Sequence, residues 1–167
     1  CLPYLLAEKN VALFEKHKVY NRDELHARYE IYTDLYCKTV SIEACTMEQM
    51  MRQEILPAVM RFTASAAESA AKKQACFSSD VSVAYEKELC VTLSELLEQG
   101  QQSADRLDSL IAQCHALASA TEQAAFYKDA VIPQMEDMRK IADTMETMVG
   151  ARDWPFPTYG DLLFSVR

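Results

Sequence analysis

Glycine is scarce, with three residues at 100, 150 and 160, and proline adds only five more turn-makers in 167 residues. Glycines so far apart exclude a Gly-rich phosphate loop, and so little turn chemistry argues against a hairpin-rich β fold. No run of about eighteen apolar residues occurs, so neither a membrane-spanning helix nor a secretory leader is expected. Positive charge is in deficit as well: 17 Lys and Arg face 25 Asp and Glu, a net charge of −8. An acidic chain attracts neither nucleic acid nor an anionic membrane, so neither is an expected partner. Cysteines at 1, 37, 45, 76, 90 and 114 form no Cys-x-x-Cys pair. Their Ala- and Leu-rich surroundings fit buried, reduced thiols in a cytoplasmic chain better than bridges or zinc. The first residue is Cys rather than Met, which leads us to expect a piece of a larger protein.

Half the residues are hydrophobic, enough for one good core, and the rest of the composition favours helix formers. The expectation is an all-α single domain over 1–167. Its organising stretch is residues 21–75, where Leu25, Tyr29, Tyr32, Tyr36, Val40, Ala44, Met47, Met51, Ile55, Ala58, Phe62 and Ala66 recur at steps of three or four. That is the helical period, and its phase never resets. Thr46 and Gln49 could cap a new helix there, but an unbroken stripe favours one rod, bent at Pro57. A helix of roughly fifty residues spans about 75 Å and needs partners along its length.

Those partners follow from the same period. Residues 1–6 form an apolar extended entry, and residues 8–18 a short helix with Val11, Leu13 and Phe14 inward. Asn21 and Glu24 have capping-box spacing and open the rod. Residues 77–80 make a loop with Ser79 or Asp80 as the next cap. A second long helix spans 81–118, with Val81, Tyr85, Leu89, Leu93, Leu96, Gly100, Ala104, Leu107, Ile111 and Cys114 on one face. Gly100 there permits close packing. Ser119 and Glu122 cap a third long helix over 120–149, whose inward face is Tyr127, Val131, Met135, Met138, Ile141, Met145 and Met148, with Gly150 as its C′ residue. The methionines read as core filling. Short connections make the neighbours antiparallel. The architecture is thus an antiparallel bundle of three long helices (21–149), a short N-terminal helix (1–20) and an apolar C-terminal hook (150–167).

Catalytic constellations are absent from the pattern. A di-iron bundle needs two Glu-x-x-His motifs, and only Asp23-x-x-His26 comes near one. Cys114 and His115 are sequence neighbours and so point about 100° apart on a helix. We assign no catalytic, cofactor-binding or metal residue. The second helix, at roughly 37 residues, covers about 55 Å of the rod, so the face of Tyr29, Tyr32 and Tyr36 overhangs it and seeks another partner. The tail carries Trp154, Phe156, Tyr159, Leu163 and Phe164, a density of apolar side chains that also calls for a docking surface. These eight residues are the candidate interface.

Three separated stretches carry a family resemblance: Glu24-Leu-His-Ala-Arg-Tyr-Glu-Ile-Tyr32, continued by Gln53-Glu-Ile-Leu-Pro57; the proline-containing run 127–139; and Trp154-Pro-Phe-Pro-Thr-Tyr-Gly-Asp-Leu-Leu-Phe164. Together they resemble the C-terminal helical domain of type III glutamine synthetases, with Gly160 smaller than the residue usual in that pattern. The resemblance implies a parent enzyme that joins ammonia to glutamate with ATP and Mg or Mn, through a γ-glutamyl phosphate, in stacked hexameric rings. The ATP and metal residues of that family lie in the preceding catalytic domain. By the same resemblance the partners are the chain's own catalytic domain and neighbouring subunits of a homo-oligomer. The competing reading is a free-standing helical interaction module.

Overall fold

Every regular element is a helix in the computed structural model, which describes residues 2–78 and 80–164 apart from the side chain of Tyr159. The described residues group into two compact units, residues 1–45 with 109–133 and residues 46–108 with 134–167.

The entry segment differs from expectation. Residues Leu2–Leu5 make one helical turn, α1, because Pro3 lies in the first turn, where a missing N–H is no loss. Helix α2 follows over Glu8–Lys16. It ends without glycine: Lys18 takes a left-handed φ of 54°, and Val19 N–H reaches back to the Phe14 carbonyl at 3.0 Å. Val11 is buried and Phe14 half-buried, but Leu13 is 53% exposed, contrary to the inward position expected of it.

The Asn21 box is made on both sides: Glu24 N–H donates to Asn21 Oδ1, and Asn21 N–H to Glu24 Oε2, each at 2.8 Å. Helix α3 then runs over Arg22–Met50 without a break at Thr46. A π-helical turn, Met51–Ile55, leads directly into α4, Leu56–Phe77. Where the sequence pointed to a bend at Pro57, the chain makes a wide turn just before it. Leu56 N–H pairs with the Met51 carbonyl, five residues back. Stepping the ladder out by one residue relieves the crowding between the proline ring and the preceding turn. The same device recurs: the π turn Tyr127–Val131 precedes Ile132 and Pro133, and Ile132 N–H pairs with the Tyr127 carbonyl.

Helix α5 covers Ala84–His115, beginning three residues later than expected. Its inward stripe therefore starts at Val83 and Glu86, while Val81 is 37% and Tyr85 73% exposed. From Leu93 onward the expected stripe is the observed one. Gly100 packs closely: a Cβ there would sit 3.0 Å from Leu56 Cδ2 and 3.2 Å from Met145 Cε. Helices α6, Ala120–Phe126, and α7, Ile132–Met148, flank the second π turn, so 120–148 is helical throughout. Ser119 stands at the N-cap but makes no side-chain cap bond; Gln123 Nε2 donates to the Leu117 carbonyl at 2.8 Å and fastens the turn instead. Gly150 is not a left-handed C′ residue, since no described glycine has positive φ. A last short helix, α8, spans Tyr159–Phe164. The expected Ser79 cap and the Cys1 thiol lie outside the described residues.

Each unit has its own core. In the first, Leu25, Val40, Ala44, Cys114, Tyr127 and Val131 are buried; in the second, Met51, Val59, Leu93, Leu107, Met138 and Met145. A fully buried Leu or Met side chain contributes about 2 kcal/mol. Core filling accounts for these three methionines, whereas Met60 is 61% exposed.

Candidate interaction surface

Two of the expected interface tyrosines meet in one groove. Asn21 sets the start of α3, and buried Leu25 fixes its phase, so Tyr29 and Tyr36 follow at one and three turns. With Leu2, Pro3, Thr33, Thr121, Ala124, Ala125, Lys128 and Asp129 they line an open cleft of about 450 Å³. Tyr29 Oη and Thr121 Oγ1 lie 3.2 Å apart, a hydrogen bond that ties α3 to α6. The alanines leave room at the floor, and Lys128, 3.2 Å from Asp129, puts a largely exposed charge at the rim. Burial raises the Tyr36 phenol above its ordinary range; Cys37 and Asp129 push the same way and Lys128 opposes them.

Tyr32 is not in this groove. It is 44% exposed and lines a neighbouring cleft of about 460 Å³ with Leu2, Tyr4, Leu5, Asn10, Leu13 and Phe14. The inward place expected of it belongs to Thr33, 3% exposed, whose hydroxyl donates to the Tyr29 carbonyl at 2.8 Å. Arg22 clamps the two carboxylate oxygens of Glu8 at 2.8 Å each, and Arg28 lies 4.3 Å over the Tyr20 ring, which in turn contacts Phe14. These contacts hold α2 against α3.

Behind the groove, Cys37 and Cys114 are buried, and burial raises both thiols. Burial also raises Tyr127, against a hydrogen bond with Ser41 that lowers it. Ser41 Oγ is 3.1 Å from His115 Nε2. Cys45 and Cys76 are exposed, which corrects the expectation that all the thiols are interior. Among the described residues no group of three His, Cys, Asp or Glu side chains is placed to hold a metal ion. No helix among them is long and apolar enough to cross a membrane.

The tail residues belong to the second unit. Trp154 and Phe156 are half-buried and meet edge to face at 6.3 Å. Thr158 and Asp161 cap α8, Thr158 N–H and Oγ1 donating to Asp161 Oδ2 at 2.9 and 2.7 Å. Leu163 is 70% and Phe164 82% exposed. The Tyr159 side chain lies outside the described residues.

Sequence reasoning missed two parts of this surface. Ala124, Ala125 and Lys128 carry no apolar signal, so only the fold reveals them as a floor and rim. Ile31, Leu35 and Ile42 are 62%, 58% and 67% exposed and form an outward stripe on α3, opposite buried Thr33, Cys37, Val40 and Ala44. A second apolar set with helical spacing, out of phase with the first, was the available signal.

The described residues form an all-helical domain with two exposed apolar surfaces, the tyrosine groove and the α8 tail. Residues 1–74 match the family model of the glutamine synthetase C-terminal domain. The whole chain is 26% identical to a glutamine synthetase of Butyrivibrio fibrisolvens over 167 residues, covering 24% of that protein. It is 31% identical to the type-3 glutamine synthetase of Dictyostelium discoideum over 161 residues, 95% of this chain and 22% of that one. A Bacteroides fragilis glutamine synthetase is 24% identical over 151 residues, 89% of this chain and 21% of that protein. The chain thus spans about a quarter or less of the length of these curated relatives. It is a glutamine synthetase C-terminal domain of the type III kind.

Proposed function

We propose that this chain is the non-catalytic structural and assembly domain of a type III glutamine synthetase, acting in the cytoplasm. The parent enzyme ligates ammonia to glutamate at the expense of ATP, with Mg or Mn, on a catalytic domain outside this segment. Within the domain the reading is an antiparallel bundle of long helices over 21–149, an entry over 1–20 and a docking hook over 150–167. Its partners are the parent's own catalytic domain and neighbouring subunits.

The observation that carries this reading is the extent of the match, nearly all of this chain against about a quarter of a glutamine synthetase. Apolar side chains exposed at Tyr32, Leu163 and Phe164 support a docking role, because such groups gain free energy when a partner covers them. Truncating the parent enzyme before residue 21 tests it, scoring particle size and glutamine synthesis together. Smaller particles with lost activity are expected; a full-sized, active particle would overturn the assembly role.

A further inference from the structure

We infer that one apolar face, made by Tyr4 of α1, Leu13 of α2 and Ile31, Leu35 and Ile42 of α3, is covered in the parent enzyme by the chain that precedes residue 1 of the same subunit. This gives the assembly reading a surface and rests on it.

All five side chains are more than half exposed, and all lie within the first unit. Residues 31, 35 and 42 share a face of α3, and Tyr32, one turn before Leu35, carries that face round to the cleft where Leu2, Tyr4, Leu13 and Phe14 meet it. Lys38, between Leu35 and Ile42, is paired with Asp34 at 2.7 Å, so the centre of the face suits an apolar partner. Where the chain enters selects that partner. Leu2 lines the cleft, and Asn10 Nδ2 holds α1 on α2 by donating to the Tyr4 carbonyl at 2.6 Å, so whatever precedes residue 1 reaches the domain at the edge of this face. The matched family model is a C-terminal domain, and this segment covers 24% and 22% of two relatives. By that likeness about three quarters of the parent lies upstream. A body tethered at the rim meets the face at an effective concentration on the order of millimolar, which no untethered chain in dilute solution matches.

The test places p-benzoylphenylalanine at position 35 of the full-length parent, assembled from isotopically light and heavy subunits, and maps the photo-adducts by peptide mass. The expected adduct joins residue 35 to a peptide upstream of residue 1, with light joined only to light and heavy only to heavy. An adduct of mixed isotope would give the face to a neighbouring subunit, one to residues 1–167 of a second copy would give it to self-association of this domain, and no adduct would leave it in solvent; each overturns the proposal. Leu35 is exposed, so the replacement spares the helix core, and a second measurement needs no replacement at all. Cys45 follows Ile42 by one turn on the same face and is exposed in this domain. In the unmodified parent, iodoacetamide should label it at least about tenfold slower than after unfolding in urea, and equal rates would overturn the proposal as well. Neither readout depends on particle size or glutamine synthesis, so this inference and the assembly role fail separately.

Discussion

Gln134 donates its side-chain amide to Ser103 Oγ at 2.8 Å and to the Ser103 carbonyl at 3.2 Å, inside the core that Leu107, Met138 and Met145 otherwise make apolar. A buried amide is retained only when paired, since an unpaired one costs about 1–3 kcal/mol. Here one side chain on α7 finds both its acceptors on a single residue of α5. The pair fixes the register of the two helices, which apolar contacts alone leave freer to slide.

Gln134→Ala should therefore destabilise the domain by about 2 kcal/mol, through a lost hydrogen bond and a cavity together. Gln134→Met combined with Ser103→Ala should recover more than half of that, because both polar partners then go at once. Urea unfolding followed by circular dichroism measures both. A double variant no more stable than Gln134→Ala would show that the hydrogen bonds themselves, not the cavity, set the cost.

Lys18 offers a change in the opposite direction. Its φ of 54° is a conformation that glycine adopts without a Cβ clash. The side chain ends no helix by itself; the backbone bonds of Lys18 to Glu15 and Val19 to Phe14 do so. Lys18→Gly should thus raise stability by about 1 kcal/mol, the penalty an L side chain pays there. Thermal unfolding checks it, and an unchanged or lowered midpoint would contradict the local account.

Glu86 gives the stability a pH dependence. It sits in the first turn of α5, nearly covered, paired with Lys73. The Lys73 hydrogen bond, then a backbone N–H, hold its carboxyl below the ordinary 4.5, against the opposing effect of burial. A depressed folded-state pKa stabilises the fold above the unfolded value, and that share is lost as the pH falls through the folded value. Glu86→Gln should consequently be less stable than wild type at neutral pH, with the difference shrinking below about pH 4.5. Two unfolding curves that stay parallel down to about pH 3 would remove Glu86 from the acid response.

The sequence made the buried faces legible wherever hydropathy and period agreed, as from Leu93 to Cys114, and the Asn21–Glu24 cap was visible from spacing alone. It misled where a polar side chain could satisfy itself. Thr33 is buried because its hydroxyl bonds the Tyr29 carbonyl, leaving the more apolar Tyr32 outside. Glu86 is covered because Lys73 meets it, while Tyr85 faces out. The π turns were legible only as prolines, since a one-residue widening leaves steps of three and four intact across Met51, Ile55 and Ala58. Of the candidate interface, the tyrosines and the tail were visible; Ala124 and Ala125 were not, because a groove is lined by what is small.

The thiols test the same distinction between composition and placement. Cys37 and Cys114 are buried with raised pKa values, so little of either is thiolate at neutral pH and none is readily reached. Cys45 and Cys76 are exposed. Brief treatment of the native chain with iodoacetamide, mapped by peptide mass, should label Cys45 and Cys76 at least about tenfold faster than Cys37 and Cys114. Unfolding in urea should erase the difference, because the protection is a property of the fold. Equal rates in the native chain would mean that the first unit opens on the labelling timescale, and its Tyr29–Tyr36 groove would then open with it.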